Sequence, residues 1–380
     1  MEQNIKQKKK ILLVFGTRPE AIKMAPLVKA LQADAHFDAQ VAVTAQHREM
    51  LDQVLDCFEI KPDFDLNMMQ PGQTLAQITS RALNGLQQVI AEAKPDLVLV
   101  HGDTTTTFAG ALAAFYEQVP VGHVEAGLRT GDKYAPYPEE MNRCLTSQLT
   151  DFHFAPTETA RQNLLHGGVA AEKIFVTGNT VIDALLQTVA KGCALEPYLG
   201  EEVNRRIDWS KKIVLLTCHR RENWGRPMHE IFSAVAKLAQ ELSNDIEIIY
   251  PVHKNPLVRE AAEELMGAIG NVHLIEPLDY RPFAQLMSLS HLVVTDSGGM
   301  QEEAPALGKP VLVLRDVTER PEAIAAGTAR LIGTNEQSVY AGLKLLLTND
   351  EVYSRMAHAA NPYGDGRTAQ HIRDILLDRL

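Results

Sequence analysis

Positive charge and aromatic residues are scarce in this chain of 380 residues, and long apolar runs are absent. It contains 37 Lys and Arg against 48 Asp and Glu, for a formal net charge of −11 at pH 7, and only 6% aromatic residues. This balance argues against a nucleic-acid or anionic-membrane partner. No run approaches the roughly 20 apolar residues of a membrane span, and the apolar stretch after Lys6–Lys10 is too short for a signal peptide. We therefore expect a cytoplasmic protein.

Several common site motifs are also missing. The four cysteines are far apart and form no Cys-x-x-Cys pair, which is typical of reduced, structural thiols. Arg18 follows Gly16 where a dinucleotide-binding turn would have its second glycine, and Lys23 lacks the preceding glycine of a phosphate-binding P-loop. The chain has no His-Glu-x-x-His helix. We therefore expect neither NAD nor a metal as cofactor.

The order of apolar runs predicts two α/β domains with mostly parallel sheets. Strands and helices alternate from Lys10 to Val189, and the same alternation restarts at Ile213. Residues 191–212 lack apolar periodicity and are interpreted as a linker. The predicted domains are residues 1–190 and 191–365, with a C-terminal helix, residues 366–380, that packs back on the first domain.

Two strands of the first domain end in a histidine and a carboxylate two residues apart. His101 precedes Asp103, and His123 precedes Glu125. In an extended segment such residues share a face, so each strand end is expected to present both groups together. A metal site is the alternative, although no compact ligand cluster accompanies them.

The second domain carries a glycine stretch at Leu292–Gln301. A strand-like apolar run ends at Asp296, and Ser297, Gly298 and Gly299 precede a helix that contains Glu303. The N–H groups at a helix N-terminus can bind a phosphate, and Glu303 can accept hydrogen bonds from ribose hydroxyls. The alternative is an ordinary helix that Asp296 or Ser297 caps without a ligand.

Cations gather at two strand ends despite the acidic balance. Arg18 and Lys23 follow the first strand, and His219, Arg220 and Arg221 follow the first strand of the second domain. Ligands of open α/β sheets bind at the carboxyl ends of strands, so these cations are candidates for contact with an anionic substrate. A solvated surface cluster is the alternative for the Arg-Arg-Glu run.

Six blocks together resemble the bacterial non-hydrolysing UDP-N-acetylglucosamine 2-epimerases, over about residues 10–380. They are Gly16–Glu20, His101–Thr104, His123–Arg129, Pro138–Arg143, His219–Asn223 and Asp296–Gly299. The resemblance implies the glycosyltransferase-B arrangement, with two Rossmann-like domains whose parallel sheets face each other across a cleft.

The resemblance also implies roles for individual residues. The sugar would be surrounded by Lys23, Asp103, Glu125 and Glu139. The UDP contacts would be Arg18, His219, Phe283, Ser297, Gly298, Gly299, Glu303 and Arg320. A second UDP-N-acetylglucosamine often activates members of this family, and its site would comprise Gln46, His47, Glu139, Arg221 and His253. The chain has Glu49 and Gly72 where that site is expected to have a glutamine and an arginine. A homodimer and a role in cell-surface polysaccharide synthesis are further expectations.

Inversion at C2 of the sugar needs a special route because C1 is an acetal, so no carbonyl acidifies the C2 proton. Transient oxidation by NAD is one route, but the NAD-binding fingerprint is missing. Elimination of UDP to a 2-acetamidoglucal, followed by re-addition, is the other route. It needs an acid, a base and cations for the leaving group. A glycosyltransferase, a hydrolysing epimerase and a catalytically silent sugar-nucleotide sensor are the alternative functions.

Overall fold

The computed structural model describes residues 8–45, 48–70 and 72–380. It divides into two compact units. The first unit comprises the residues up to Ala184 together with Tyr363–Leu380, and the second unit is Leu185–Pro362. None of the helices in these described ranges is long and apolar enough to cross a membrane.

The first unit contains a sheet of seven strands in the order β3-β2-β1-β4-β5-β6-β7, and every strand pair is parallel. Its strands are β1 (Lys9–Phe15), β2 (Phe37–Val43), β3 (Phe64–Asp65), β4 (Leu97–His101), β5 (Val121–Val124), β6 (Phe152–Ala155) and β7 (Ile174–Val176). Its helices are α1 (Arg18–Gln32), α2 (Arg48–Cys57), α3 (Leu75–Ala93), α4 (Thr105–Tyr116), α5 (Glu139–Leu149), α6 (Glu158–His166), α7 (Thr180–Ala190), which continues into the second unit, and α17 (Thr368–Arg379).

The second unit repeats this design with six parallel strands in the order β10-β9-β8-β11-β12-β13. Its strands are β8 (Lys212–Thr217), β9 (Ile246–Pro251), β10 (Val272–Ile275), β11 (Leu292–Thr295), β12 (Val311–Val313) and β13 (Ala329–Leu331). Its helices are α8 (Glu196–Leu199), α9 (Glu201–Arg206), α10 (Arg226–Glu241), α11 (Pro256–Met266), α12 (Tyr280–Leu289), α13 (Met300–Ala306), α14 (Pro321–Ala325), α15 (Glu336–Thr348) and α16 (Asp350–Ala357).

The fold class predicted from the sequence is confirmed, since each unit is an α/β domain built on a parallel sheet. The central strands β1, β4, β8 and β11 are buried over nearly their whole length. Helices cover both faces of such sheets, which explains why the strands appear as continuous apolar runs instead of alternating patterns. The segment 191–212, which the sequence analysis interprets as a linker, contains the short helices α8 and α9.

The C-terminal helix belongs to the first unit. The backbone N–H groups of Thr368 and Ala369, at the start of α17, donate to the carboxylate of Asp183 at 3.2 and 2.8 Å. Asp183 is fully buried in α7 and accepts two bonds that the first turn of a helix cannot make internally. The chain therefore returns to the first unit through a buried carboxylate.

Candidate active site

Both sheets share the strand order 3-2-1-4-5-6, to which the first sheet adds a seventh strand, and their switch point lies between the first and fourth strands. In such sheets, ligands bind at the carboxyl ends of these two strands, where the connections diverge. In the first unit, this position is occupied by the loop Gly16–Thr17 after β1 and by the segment Gly102–Thr104 after β4. In the second unit, it is occupied by residues 218–223 after β8 and by Asp296–Gly299 after β11.

Glu20 holds together the two loops at the switch point of the first unit. Its carboxylate accepts the N–H groups of Gly16 and Thr17 at 3.0 and 2.8 Å, and the Thr104 hydroxyl at 2.7 Å. Burial raises the pKa of Glu20, against the lowering effect of these hydrogen bonds. Sequence reasoning did not identify this role, although the Thr17-x-x-Glu20 spacing is the signature of a capping box, which the structure contains. Arg18, the next residue of the loop, has an exposed side chain.

Glu125 is the buried carboxylate of this edge. It follows β5, is 9% exposed and has φ of +61°, a conformation that is uncommon outside glycine. Its Oε2 accepts hydrogen bonds from Lys23 of α1 and, at 2.9 Å, from the Asn179 side chain. The contact with the ammonium group is a charge-assisted hydrogen bond, which is stronger than one between neutral groups. The backbone N–H of Asn179 in turn donates to the Tyr363 carbonyl at 2.7 Å, so the segment that leads to α17 supports this position.

Asp103 follows β4, the neighbouring strand, and is also paired with a cation. Its carboxylate accepts a hydrogen bond from Arg143 of α5, and its backbone carbonyl accepts one from the Asn142 side chain at 2.9 Å. Arg143 is largely buried and also contacts Glu140 at 3.2 Å. Because His101 at the end of β4 is paired in register with Val124, Asp103 and Glu125 follow adjacent positions on neighbouring strands.

The histidines are not arranged as the sequence predicted. His101 Nε2 lies 3.7 Å from Glu125 Oε2 on the neighbouring strand, and His123 Nε2 donates to the Gly102 carbonyl at 2.7 Å. The expectation that each strand end presents its imidazole and its carboxylate together on one face is therefore wrong. The extended conformation on which it depended ends at Gly102 and Glu125, which have φ of +68° and +61°.

Three histidines on neighbouring strands are buried in their neutral form. Burial lowers the pKa of His101 to about 4, and those of His123 and His153 to about 3. His123 and His153 are paired in register on β5 and β6. In residues 8–45, 48–70 and 72–380, no three His, Cys, Asp or Glu side chains are grouped so that they could hold a metal ion.

Glu139 begins α5 directly after the loop that precedes this helix, and it is partly exposed. Its neighbour Glu140 is buried and accepts the N–H groups of Thr130 and Gly131 at 3.1 and 3.2 Å. Glu140 therefore anchors the loop, while Glu139 remains accessible. The sequence did not distinguish these two adjacent glutamates.

In the second unit, Asp296 organises the loop after β8. It is fully buried, and its Oδ2 accepts the backbone N–H groups of His219 and Arg220, both at 2.8 Å, and the Asn223 side chain at 3.1 Å. The alternative in which Asp296 is the N-cap of the following helix is wrong, since Gly299 occupies that position. The side chain of His219 is 44% exposed, and its Nδ1 lies 3.6 Å from Asp296 Oδ1.

The glycine stretch differs in detail from the predicted anion site. The N–H of Ser297 donates to the Thr295 hydroxyl at 2.9 Å, so it is not available to a ligand in this structure. The helix α13 begins at Met300 and has only seven residues, with Glu303 in its first turn. Gly298 and Gly299 thus provide the backbone N–H groups between the strand and the helix.

The other predicted UDP contacts lie around this loop or on α12. Arg320 donates from its Nε to the buried carboxylate of Glu302 and directly precedes α14. Phe283 is partly buried in α12. Arg220 lies 3.5 Å from Glu319, whose pKa is lowered to about 2 even though burial by itself would raise it. The Arg315 guanidinium, 2.7 Å from Glu319, is the first cause of this lowering.

The predicted activator residues are only partly described. Gln46 and His47 lie outside the described residues. His253 follows β9, and its ring stacks on that of His219 with centroids 5.4 Å apart. Burial, followed by the nearby His219, lowers the pKa of His253. Arg221, two residues after His219 in the sequence, is exposed and begins a short 3₁₀ turn.

Comparison with known proteins identifies the family. A family model described as UDP-N-acetylglucosamine 2-epimerase matches residues 29–377. The chain is 58% identical to the UDP-N-acetylglucosamine 2-epimerase of Escherichia coli K12, over 97% of this chain and 98% of that protein. It is 56% identical to the Bacillus subtilis enzyme, over 98% and 96% of the two chains.

A solved structure agrees with this result. The UDP-GlcNAc 2-epimerase of Neisseria meningitidis, determined with bound UDP-GlcNAc, is 51% identical and superposes with a TM-score of 0.86, over 97% of this chain and all of that one. With such matches over nearly its whole length, and with paired carboxylates and cations at the switch points of its two sheets, this chain belongs to the UDP-N-acetylglucosamine 2-epimerase family.

Proposed function

We propose that the protein interconverts UDP-N-acetylglucosamine and UDP-N-acetylmannosamine without hydrolysis, by elimination and re-addition of UDP. A base removes the C2 proton while the C1–O bond breaks, and UDP leaves with the electron pair of that bond. The product of this step is 2-acetamidoglucal, with a double bond between C1 and C2. Protonation of C2 on the opposite face and attack of a β-phosphate oxygen on C1 then complete the epimerisation.

The observation that carries this proposal is the placement of Asp103 and Glu125 after adjacent strands, each paired with a buried or partly buried cation. Lys23 and Arg143 hold the two carboxylates in place, and a positioned carboxylate can act as a general acid or base. Glu139, partly exposed at the start of α5, is the third candidate. We infer that the acid and the base are among these three residues.

We assign the UDP leaving group to cations and backbone N–H groups. His219 and Arg18 would stabilise the charge that develops on the diphosphate, because a positioned cation acts most strongly where charge appears in the transition state. Gly298 and Gly299 would contribute N–H groups, with Ser297, Arg320 and Phe283 as further UDP contacts. Glu303 would accept hydrogen bonds from the ribose. Lys23, which pairs with Glu125, would also contact the sugar.

We also propose that a second UDP-N-acetylglucosamine activates the enzyme through Gln46, His47, Glu139, Arg221 and His253. The exposure of Arg221 and His253 supports this assignment. The homodimer, the cytoplasmic location and the supply of N-acetylmannosamine for surface polysaccharides stay predictions. Substitution of Arg221 by Met should reduce any sigmoidal dependence of the initial rate on substrate concentration, while a hyperbolic wild-type curve would contradict the activator.

The reaction is tested with purified protein and UDP-N-acetylglucosamine alone in deuterium oxide. Proton NMR should show UDP-N-acetylmannosamine with deuterium at C2, since the returning proton comes from solvent. Oxygen-18 placed in the C1–O–P bridge should scramble into non-bridging β-phosphate positions, because UDP leaves and returns. Accumulation of free UDP and N-acetylmannosamine would instead indicate a hydrolysing enzyme, and product with C2 protium fully retained would exclude the elimination route.

The carboxylates are tested one at a time. Asp103→Asn, Glu125→Gln and Glu139→Gln each retain the shape of the side chain and remove its titratable group, so each should slow the exchange of C2 hydrogen with solvent. Glu158→Gln, on the surface of the same unit, is the control and should exchange at the wild-type rate. Unchanged exchange in one of the three variants would remove that residue from the mechanism.

A further inference from the structure

The two carboxylate oxygens of Asp296 have very different surroundings. Oδ2 accepts three hydrogen bonds, two from backbone N–H groups and one from Asn223. Oδ1 is equally buried, yet in the described part of the chain it has no hydrogen-bond partner. An unpaired buried acceptor is unfavourable, so its retention calls for a physical explanation.

A donor lies close to this oxygen. Nδ1 of His219 is 3.6 Å from Asp296 Oδ1, slightly beyond hydrogen-bond length, and a small rotation of the half-exposed ring would close the gap. The backbone of His219 is fixed by its own N–H bond to Oδ2, so the ring cannot move far from Asp296. Hydrogen bonds of catalytic side chains are often long without substrate and tighten when it binds.

We propose that Asp296 is a positioning residue for His219: its Oδ1 accepts the Nδ1–H group and orients the ring. This inference rests on the proposed function, in which His219 faces the diphosphate leaving group. A carboxylate that holds a histidine through one ring nitrogen leaves the other nitrogen to act on the substrate, as in hydrolase triads. In this arrangement Oδ2 holds the loop and Oδ1 holds the ring.

The other titratable groups nearby do not offer His219 the same contact. The ring of His253 stacks on that of His219, and two imidazolium rings in this arrangement would repel each other. Cys218, Tyr250 and Arg315 also lie near Asp296. Burial, and next this carboxylate, raise the pKa of the Cys218 thiol well above its usual value. Among the described residues, Asp296 is therefore the negative group that faces the His219 ring.

The variant Asp296→Asn separates the two roles of the carboxylate. The amide oxygen can keep the three bonds that Oδ2 now accepts, while the amide NH₂ takes the place of Oδ1 and becomes a donor toward Nδ1. The ring would then adopt the opposite tautomer, with its proton on Nε2. Asp63→Asn is the control, because Asp63 also accepts a backbone N–H group, that of Val41, through a single carboxylate oxygen that an amide oxygen can replace.

Turnover is measured first. Asp296→Asn should lower kcat by about tenfold to hundredfold, with little change in KM, because partners that orient the ligands of metal sites have effects of this size and the same geometric argument applies to the ring of His219. The control should leave kcat unchanged. In a His219→Asn background, Asp296→Asn should change kcat by less than about twofold, since coupled residues are not additive.

The tautomer of His219 is measured separately, with ¹⁵N-labelled histidine and NMR at alkaline pH, and His219→Asn assigns the signal. Wild type should carry the proton on Nδ1 and Asp296→Asn on Nε2. An Nε2–H tautomer in wild type would overturn the proposal even if the variant failed to fold, and so would an additive loss of kcat in the double variant. If the tautomers are as expected but wild type does not epimerise its substrate, the proposed function fails and the Asp296–His219 pairing stands.

Discussion

The backbone of Glu125 has a left-handed conformation that costs a non-glycine residue about 1–3 kcal/mol. Such strain persists where the surroundings determine the side-chain position, and here Lys23 and Asn179 both bind the carboxylate. Asn179 depends in turn on Tyr363, a fully buried residue close to the C-terminal helix. The position of one candidate catalytic carboxylate is therefore determined by three distant parts of the sequence.

Arg18 provides a residue-scale test in which folding and function separate. Its side chain is exposed, so Arg18→Met should change the free energy of unfolding by no more than about 0.5 kcal/mol. Loss of a cation that stabilises the leaving group should lower kcat roughly a hundredfold, equivalent to about 3 kcal/mol. Urea unfolding and NMR-monitored turnover measure the two effects.

The control for Arg18 is Arg161→Met. Arg161 is a partly exposed cation of the same unit that pairs with Glu158 on α6. It should show the same small change in stability and an unchanged kcat. Near-normal turnover of Arg18→Met, or an equal loss in both variants, would contradict the assignment of Arg18 to the leaving group.

At the scale of elements, much of the fold could be predicted because both faces of each sheet are covered. Strands such as β4 then become uninterrupted apolar runs, and long helices such as α3 retain clear periodicity, so the alternation of strands and helices is visible in the sequence. The helices α8 and α9 were missed because they have only four and six residues, too few to show apolar periodicity. A short charged helix and a charged loop look alike in sequence.

The candidate site was predictable in its residue types but not in its contacts. The motifs placed carboxylates and cations at the ends of the right strands. However, Asp296 binds the loop after β8, 73–77 residues earlier in the chain, and Glu20 binds Thr104, 84 residues later. Such pairings depend on which strands are neighbours, and local periodicity does not contain the strand order. The placement of His101 beside Glu125 of the neighbouring strand has the same origin.

Gly127 provides a test at the scale of packed elements. It has φ of +92°, and a Cβ atom on it would lie 2.3 Å from the backbone carbonyl oxygen of Ala160 in α6. Gly127→Ala therefore adds a backbone clash to an unfavourable conformation. We expect it to lower the free energy of unfolding by more than about 4 kcal/mol, or to prevent folding, as large mutational effects do when strain and overpacking combine.

Gly131→Ala separates the clash from the conformation. Gly131 also has positive φ, at +79°, but a Cβ atom there would have nothing within 4 Å. This variant should lose only about 1–3 kcal/mol, the cost of the backbone conformation. Urea unfolding of both variants measures the difference, and equal losses would show that the contact with α6 is unimportant.

At the scale of the whole molecule, the two units share a strand order but differ in their buried ionisable groups. The first unit contains the row of neutral histidines His101, His123 and His153 in its sheet. In the second unit, the buried His273 is instead bonded to Glu247 at 2.6 Å. The three histidines of the first unit have no hydrogen-bonded carboxylate among the described residues, and burial favours their neutral form, which makes the first unit sensitive to acid.

The sign of this effect follows from the depressed pKa values. Each of these histidines has a folded-state pKa of about 3 to 4, against an ordinary value of 6.5. Between these values, the unfolded chain binds more protons than the folded one, so stability is fully present above pH 6.5 and is lost as pH falls. Each histidine contributes a slope of roughly 1.4 kcal/mol per pH unit within this window. Glu20 and Asp183, whose pKa values are raised by burial, act in the opposite direction.

His153→Gln isolates the histidine contribution, because the carboxylates are the same in both proteins. Urea unfolding of the wild type and the variant at pH 7.5, 6.0 and 5.0, followed by hydrogen exchange of β5 and β6, gives the pH slope of stability of the first unit in each protein. The variant should bind one proton fewer on unfolding, so the difference in free energy of unfolding between the two proteins should change by roughly 1.4 kcal/mol per pH unit below pH 6. A difference that is independent of pH would mean that His153 titrates normally in the folded protein. Because the site carboxylates Asp103 and Glu125 follow β4 and β5 of the same sheet, we expect enzymatic activity to be lost in parallel with the protection of these strands.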